Sequence, residues 1–304
     1  MGIALSTPTA LLQPGKLWPA VATATRQALA RGALRPIETE QEEIEDGGIR
    51  FLVRCVSNLA HKAELRTPGQ AANSADPFLP YDPMLFVAHV SRTHSILLNK
   101  FPVLEHHLLI VTRAFEHQET LLDAADFAAL AACMAEFETL GFYNGGREAG
   151  ASQDHKHLQV VPLPLSSGQA EVPTEPLFRH AQLSGGGAVP GLPFRHAYAD
   201  LAGAIWERPK LTGELLTAIY RDLCRAAGIG EREAQGERRQ SAPYNLLLTR
   251  EWMLLVPRSR EQYASISVNA LGFAGSLFVK NKAQLECVRD IGPMGLLQEV
   301  TVPA

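Results

Sequence analysis

Polar side chains recur at every second position in His155-Lys156-His157-Leu158-Gln159, and the run continues directly into Val160-Val161. Alternation of this kind fits an extended strand, on which successive side chains point to opposite faces. His155, His157 and Gln159 then share one face, while Lys156, Leu158 and Val160 take the other. Two imidazoles and a carboxamide in one row are costly to bury and unnecessary for packing. Just upstream lies Asn144-Gly145-Gly146-Arg147-Glu148-Ala149-Gly150-Ala151-Ser152-Gln153. Glycines let a backbone approach a ligand closely and turn its N–H groups toward an anion. A phosphate-cradling loop feeding a histidine-bearing strand points to group transfer through a histidine. Two blander readings stand beside it. Neutral imidazoles also bind metals, but a third ligand is lacking nearby, since Gln159 is a poor one. The pair could also be a satisfied structural one.

Composition narrows the class. The chain has 304 residues, 46% hydrophobic and 20% charged, enough for one large domain or two modest ones. A formal net charge of -4 gives no global basic field for nucleic acid. The four cysteines (Cys55, Cys133, Cys224, Cys287) are scattered without C-x-x-C spacing, which argues against a zinc framework and fits a reducing cytoplasm. The sequence lacks an apolar run long enough to span a membrane and a signal-peptide start, so the expected location is cytoplasmic, with no membrane partner.

The coarse order alternates helices and strands. Residues Leu17 to Ala30 read as a helix, Ile49 to Val56 as a strand, and Thr67 to Pro83 as a proline-rich loop. Phe86 to Leu98 reads as strand with a turn, and His107 to Thr112 as a strong strand. A helix is predicted over Ala124 to Leu140, capped by Asp123 or Asp126. Residues 163 to 193 look like a connector or long surface loop. Leu211 to Ala227 is a predicted helix stopped by Gly228, Gly230 to Gln240 a solvated loop, and Tyr244 to Thr249 with Trp252 to Pro257 a hairpin. Leu97-Leu98-Asn99 with Leu108 to Val111 is echoed by Asn245 to Leu248 with Met253 to Val256, which suggests two copies of one unit.

Gly150-Ala151-Ser152-Gln153-Asp154-His155-Lys156-His157-Leu158-Gln159 resembles the active-site segment of the ATP adenylyltransferases, also called diadenosine tetraphosphate phosphorylases. These belong to the histidine-triad superfamily, in the branch with Gln where hydrolases carry a third His. The likeness extends to residues 32–39, 98–103 and 107–112, and to Ala242-Pro243-Tyr244-Asn245, Pro257-Arg258-Ser259 and Asn269 to Gly275, so it spans roughly residues 17 to 282. It implies an α+β, histidine-triad-like fold: an antiparallel sheet with flanking helices and an internal duplication. The expected domains are a catalytic one over 1–165, a Pro/Gly-rich connector over 166–193, and a C-terminal one over 194–304.

The resemblance also implies roles. His157 would be the nucleophile, forming an adenylyl-histidine. His155 would lie beside it on the same face and organise the ring or the phosphate, and Gln159 would donate its amide to a phosphate oxygen. Gly150, Ala151, Ser152 and Gln153 match phosphate-loop positions. Lys62, Asn99, Lys100, Asn144, Asn269, Ala270, Leu271, Ser276 and Lys280 match other substrate positions. His107 could support the site, and His106 has no assigned role. The implied ligands are diadenosine tetraphosphate, ATP, ADP and phosphate, with Mg²⁺ carried on the nucleotide. Two units in one chain weakly favour a monomer. Gln159 cannot shuttle a proton at neutral pH, which suits an anionic acceptor better than water. Three rivals stay open: a hexose-1-phosphate uridylyltransferase, a dinucleotide hydrolase, and a non-catalytic nucleotide-binding protein.

Overall fold

The computed structural model describes residues 11–56, 76–166, 172–183, 187–234 and 236–304. Alanine-rich, helix-favouring sequence forms α1 (Leu17–Ala30), as expected, and buries Leu17, Val21, Thr25 and Ala28. A hairpin of β1 (Thr39–Asp46) and β2 (Ile49–Val56) turns through Gly47 and Gly48, both with positive φ. β2 is the predicted strand. β1 escaped prediction because its acidic sequence, TEQEEIED, carries almost no apolar signal.

Next come β3 (Phe86–His89), β4 (His94–Leu98) and β5 (Leu108–Thr112). Helix α2 (Ala124–Met134) starts at Asp123, whose side chain accepts from Ala125 N–H and Asp126 N–H while Asp126 reaches back to Asp123 N–H, a capping box. The helix was expected to run to Leu140 but ends at Met134, and Leu140 belongs to β6 (Thr139–Gly145). Every residue of β6 is buried, so its sequence offers no alternation to separate strand from helix. β7 (His157–Pro162) follows. The expected connector contains a helix, α3 (Glu175–Leu183), with Phe178 and Ala181 in the core.

The second half supplies β8 (Ala197–Asp200), α4 (Pro209–Ala227), β9 (Glu231–Ala234), β10 (Glu237–Gln240), β11 (Tyr244–Leu248) and β12 (Trp252–Pro257). The predicted loop at 230–240 is thus largely a small exposed hairpin, β9 with β10. Short β13 (Gln262–Tyr263) and β14 (Ile266–Ser267) lead to α5 (Ala270–Phe273), β15 (Ser276–Val279), α6 (Lys282–Ile291) and α7 (Pro293–Glu299). β15 pairs in parallel with β2, completing a three-stranded sheet.

The main sheet has eight strands in the order β3-β4-β5-β7-β6-β11-β12-β8. β6 and β11 meet at its middle, with Asn144 opposite Asn245. On either side runs the same succession, β5-α2-β6-β7 and β8-α4-β11-β12, the second with the β9–β10 hairpin inserted after its helix. The chain is α+β and built from a repeated unit, but the repeat is not the expected one. The apparent echo between the 97–111 and 245–256 hairpins equates strands that hold different places, because leucine runs look alike in any buried strand. Helices α2 and α4 pack closely on one face: a Cβ at Gly213 would stand 2.7 Å from the Ala128 nitrogen. That face holds Leu158, Val160, Tyr143 and Tyr244, and the other holds Phe142, Val161, Leu254 and Val256. The candidate site opens on the second face.

Candidate active site

A cavity of about 810 Å³ lies against β7, walled by His157, Gln159, Asn144 and His107, by Asn99 and Lys100 beyond β4, and by Asn269, Leu271 and Lys280 from the C-terminal half. Gly150, Ser152 and Gln153 of the glycine-rich loop also line it. Segments far apart in sequence therefore converge on the histidine strand.

His157 is held at three atoms. Its N–H donates to Gln118 Oε1 at 2.8 Å, and Gln118 Nε2 donates to His157 O at 3.3 Å and to Asn144 O at 2.9 Å. Gln118 thus joins β6 to β7 where their ladder ends. The third contact fixes the chemistry. His157 Nδ1 lies 2.8 Å from His155 O. A carbonyl only accepts, so Nδ1 carries the proton and Nε2 keeps its lone pair. Burial pushes the imidazole down to about 4; the bond to the His155 carbonyl opposes that shift, and the neighbouring His155 ring adds to it. At neutral pH His157 is an uncharged imidazole with a defined nucleophilic nitrogen.

Gln159 is oriented by a second chain of hydrogen bonds. The Phe101 N–H donates to Asn99 Oδ1 at 3.2 Å, which turns Asn99 Nδ2 toward His107 Nδ1 at 3.1 Å. His107 Nδ1 accepts, so its Nε2–H donates to Gln159 Oε1 at 2.8 Å. With its oxygen engaged, Gln159 presents its NH₂ to the cavity. Burial pushes His107 down to about 4, the Gln159 hydrogen bond opposing and His157 reinforcing. His107 is therefore neutral, as this donor order requires.

His155 lies beside His157 as the alternation suggested, both rings meeting Phe78 edge-on at 5.5 and 5.3 Å. Its ring is not on the cavity wall. Nδ1 meets Asp76 Oδ2 at 2.6 Å, and Nε2 meets Thr112 Oγ1 at 2.8 Å and Thr112 O at 2.9 Å. The continuous ladder begins at His157, and His155 is held by an isolated bridge to His117. It reaches His157 through its backbone carbonyl at 2.8 Å, and its ring acts on the His157 imidazole only electrostatically.

The other predicted positions divide. Asn99, Lys100, Asn144, Gly150, Ser152, Gln153, Asn269, Leu271 and Lys280 line the cavity with His157 and Gln159, whereas Ala151, Ala270 and Ser276 do not. Ala270 is buried, its N–H given to Asn144 Oδ1 at 3.0 Å. The Ser276 hydroxyl accepts from the buried Arg54 guanidinium at 2.5 Å. Lys62 lies outside the described residues. Asp76 and Gln118 carried no motif. His106 stacks edge-on against Trp18 and bonds Thr25 Oγ1 at 3.2 Å, and does not line the cavity. Among the described residues, no group of three or more His, Cys, Asp or Glu could hold a metal ion.

Residues 7–180 match the Ap4A phosphorylase N-terminal domain, and residues 190–303 match the ATP adenylyltransferase C-terminal domain. Protein APA1 of Saccharomyces cerevisiae is 28% identical over 286 residues, covering 84% of each chain. Diadenosine 5',5'''-P1,P4-tetraphosphate phosphorylase 2 of the same yeast is 26% identical over 283 residues, covering 85% of this chain and 86% of that protein. The crystal structure of yeast Ap4A phosphorylase Apa2 in complex with Ap4A superposes with a TM-score of 0.73 at 22% identity, over 96% of this chain and 99% of the other. At that identity the superposition establishes the fold.

Proposed function

Because this chain belongs to the Ap4A phosphorylase family, we propose that its cavity cleaves diadenosine tetraphosphate (Ap4A) with inorganic phosphate, using His157 Nε2 as nucleophile. In the first displacement Nε2 bonds the α-phosphorus, the bond from that phosphorus to its bridging oxygen breaks, and ATP leaves. Positive charge builds on the imidazole, where Nδ1–H faces the His155 carbonyl 2.8 Å away. In the second, a phosphate oxygen attacks the same phosphorus, the P–N bond breaks, and ADP leaves. The observation that carries this reading is the locked tautomer of His157 in a cavity that also offers amide donors and lysines.

Gln159 and Asn144 stabilise the charge that develops on phosphoryl oxygens by aiming N–H groups at them. Lys100 and Lys280 supply positive charge that the chain as a whole lacks. Asp82 is the only carboxylate residue on the cavity wall among the described residues, so Mg²⁺ enters on the polyphosphate rather than in a protein cage. A phosphate acceptor is already anionic, which fits a site whose third polar group is an amide rather than a base. Four free cysteines support a cytoplasmic setting, and among the described residues no helix is long and apolar enough to cross a membrane. Both units of the repeat reside in one chain, which supports function as a monomer.

The direct test incubates purified protein with Ap4A and Mg²⁺, with and without phosphate, and resolves products by ion exchange. ADP plus ATP, formed only with phosphate, is the expected outcome; AMP plus ATP formed equally well without phosphate overturns it. The pH profile gives a second check. His157 is active when neutral and its pKa is about 4, so the acid limb of the single-turnover rate belongs near pH 4. A limb near 6.5, the value of an ordinary histidine, would contradict the burial argument.

A further inference from the structure

Arg258 follows β12, in the half of the molecule whose corresponding strand carries no histidine; its guanidinium is buried, and among the described residues no carboxylate hydrogen-bonds it. All its hydrogen bonds among the described residues go to neutral oxygens. Nε donates to Val300 O at 3.0 Å, Nη1 to Asn245 Oδ1 at 2.6 Å and Val268 O at 2.8 Å, and Nη2 to Arg260 O at 2.8 Å and Glu261 O at 3.1 Å. Five donors meet five acceptors. Burying a cation in this way is costly, and carbonyls alone would close the loops without a side-chain amide among them.

The chain of polarity that starts there ends in the cavity. Arginine cannot accept a hydrogen bond, so the Asn245 atom facing it is the oxygen. Asn245 Nδ2 then faces Ala149 O at 2.8 Å and Asn144 Oδ1 at 2.8 Å. The Ala149 carbonyl can only accept, which independently identifies the Asn245 nitrogen. Asn144 Oδ1 receives a second donor, Ala270 N–H at 3.0 Å. Both its lone pairs are used, and the Asn144 NH₂ is left for the cavity. The β6–β7 ladder ends at Phe142 and Gln159, and beyond it Gln118 ties Asn144 to His157 by donating to both of their carbonyls.

We infer that Arg258 is a positioning residue: acting through Asn245, it sets the Asn144 carboxamide so that its NH₂, not its oxygen, meets the bound nucleotide beside His157. The inference rests on the proposed reading of the cavity as a nucleotide site. It assigns a role to the half of the repeat that has no nucleophile. That half supplies the fixed donor from which the amide order of the active half is set. Val268 and Ala149, which accept from Arg258 and Asn245, also bring the Val268–Ala270 segment and the glycine-rich loop into the same network. Gly150 is packed into that junction, where a Cβ would lie 3.0 Å from Val268 O.

A double-mutant cycle separates positioning from mere support of the fold, because coupled residues fail to add. In the otherwise intact protein, Arg258→Met should lower kcat/KM for Ap4A phosphorolysis by about 10- to 100-fold, with far-UV circular dichroism unchanged below its melting temperature. In an Asn144→Ala background the same change should cost less than about threefold, since no amide remains to be set. Equal fractional losses in both backgrounds, or no loss in either, overturn the inference. Should Arg258→Met not fold, Asn245→Asp replaces it in the cycle. Aspartate still accepts from Arg258 but cannot donate to Asn144, so it too should cost activity only when Asn144 is present. The coupling is also read as nucleotide affinity, by calorimetric titration with ATP. Wild-type protein that binds ATP without phosphorolysis would refute the proposed reaction and leave the binding cycle to decide this inference.

Discussion

His157→Ala is expected to lower phosphorolysis by roughly four orders of magnitude or more, the scale seen when a nucleophile acting within a unit is removed. Among the described residues no neighbouring group replaces it. Gln159 is an amide, and the His107 ring is committed to Asn99 and Gln159. The His155 ring faces Asp76 and Thr112. Intact-mass spectrometry tests the same point without turnover. Wild-type protein mixed with Ap4A in the absence of phosphate should gain an AMP-sized increment, and His157→Ala should gain none. His155→Ala makes the sharper comparison. The alanine keeps the carbonyl that accepts from His157 Nδ1, so the tautomer survives and labelling should continue, slowed by lost support from Asp76. A labelled His157→Ala protein, or His155→Ala as inert as His157→Ala, would overturn the assignment of nucleophile and support.

Alternation in the sequence was enough to put His157 and Gln159 on one wall, because a strand has a fixed period and β7 obeys it. His155 keeps that face, its ring against Phe78 as the His157 ring is, but Asp76 and Thr112 hold it off the cavity wall, and no local pattern announces those partners. Of the groups that orient the site, His107 was expected as a support, whereas the others were illegible for a different reason. Gln118 and Arg258 act through hydrogen bonds to residues 39 and 13 positions away, and no local pattern records such a bond. Composition misled where burial was total or nearly absent. β6, buried on both faces, extended a helix that ends at Met134, and acidic β1 read as nothing at all. The repeat was sensed from leucine-rich hairpins but located only by strand order, since topology distinguishes what similar apolar runs cannot.

Lys156→Met should destabilise the protein by about 3–5 kcal/mol, the cost of leaving a buried charge without its partner. Lys156 lies between the two histidines of the motif, and its side chain turns to the opposite face, as alternation requires. It is 1% exposed. Its Nζ meets Asp126 Oδ2 at 2.5 Å, Glu116 Oε2 at 3.2 Å and Leu121 O at 3.3 Å. Asp126 also bonds His94 Nε2 at 3.0 Å and caps α2 through Asp123 N–H. Burial alone would raise the Asp126 carboxyl, but the His94 hydrogen bond and the Lys156 charge hold it below the ordinary carboxylate range. Burial would likewise lower Lys156, and Asp126 reverses that. Each ion is kept charged by the other, so removing one strands the other. Urea unfolding of Lys156→Met should therefore show a large loss, and the Lys156→Met/Asp126→Asn pair should recover part of it, because the stranded carboxylate is gone. Additive losses in the pair would mean that the ions act separately. Recovery would mean that the motif's central lysine is a clamp. It fastens the histidine strand to α2 from behind and holds the backbone that carries the His155 carbonyl in place for His157.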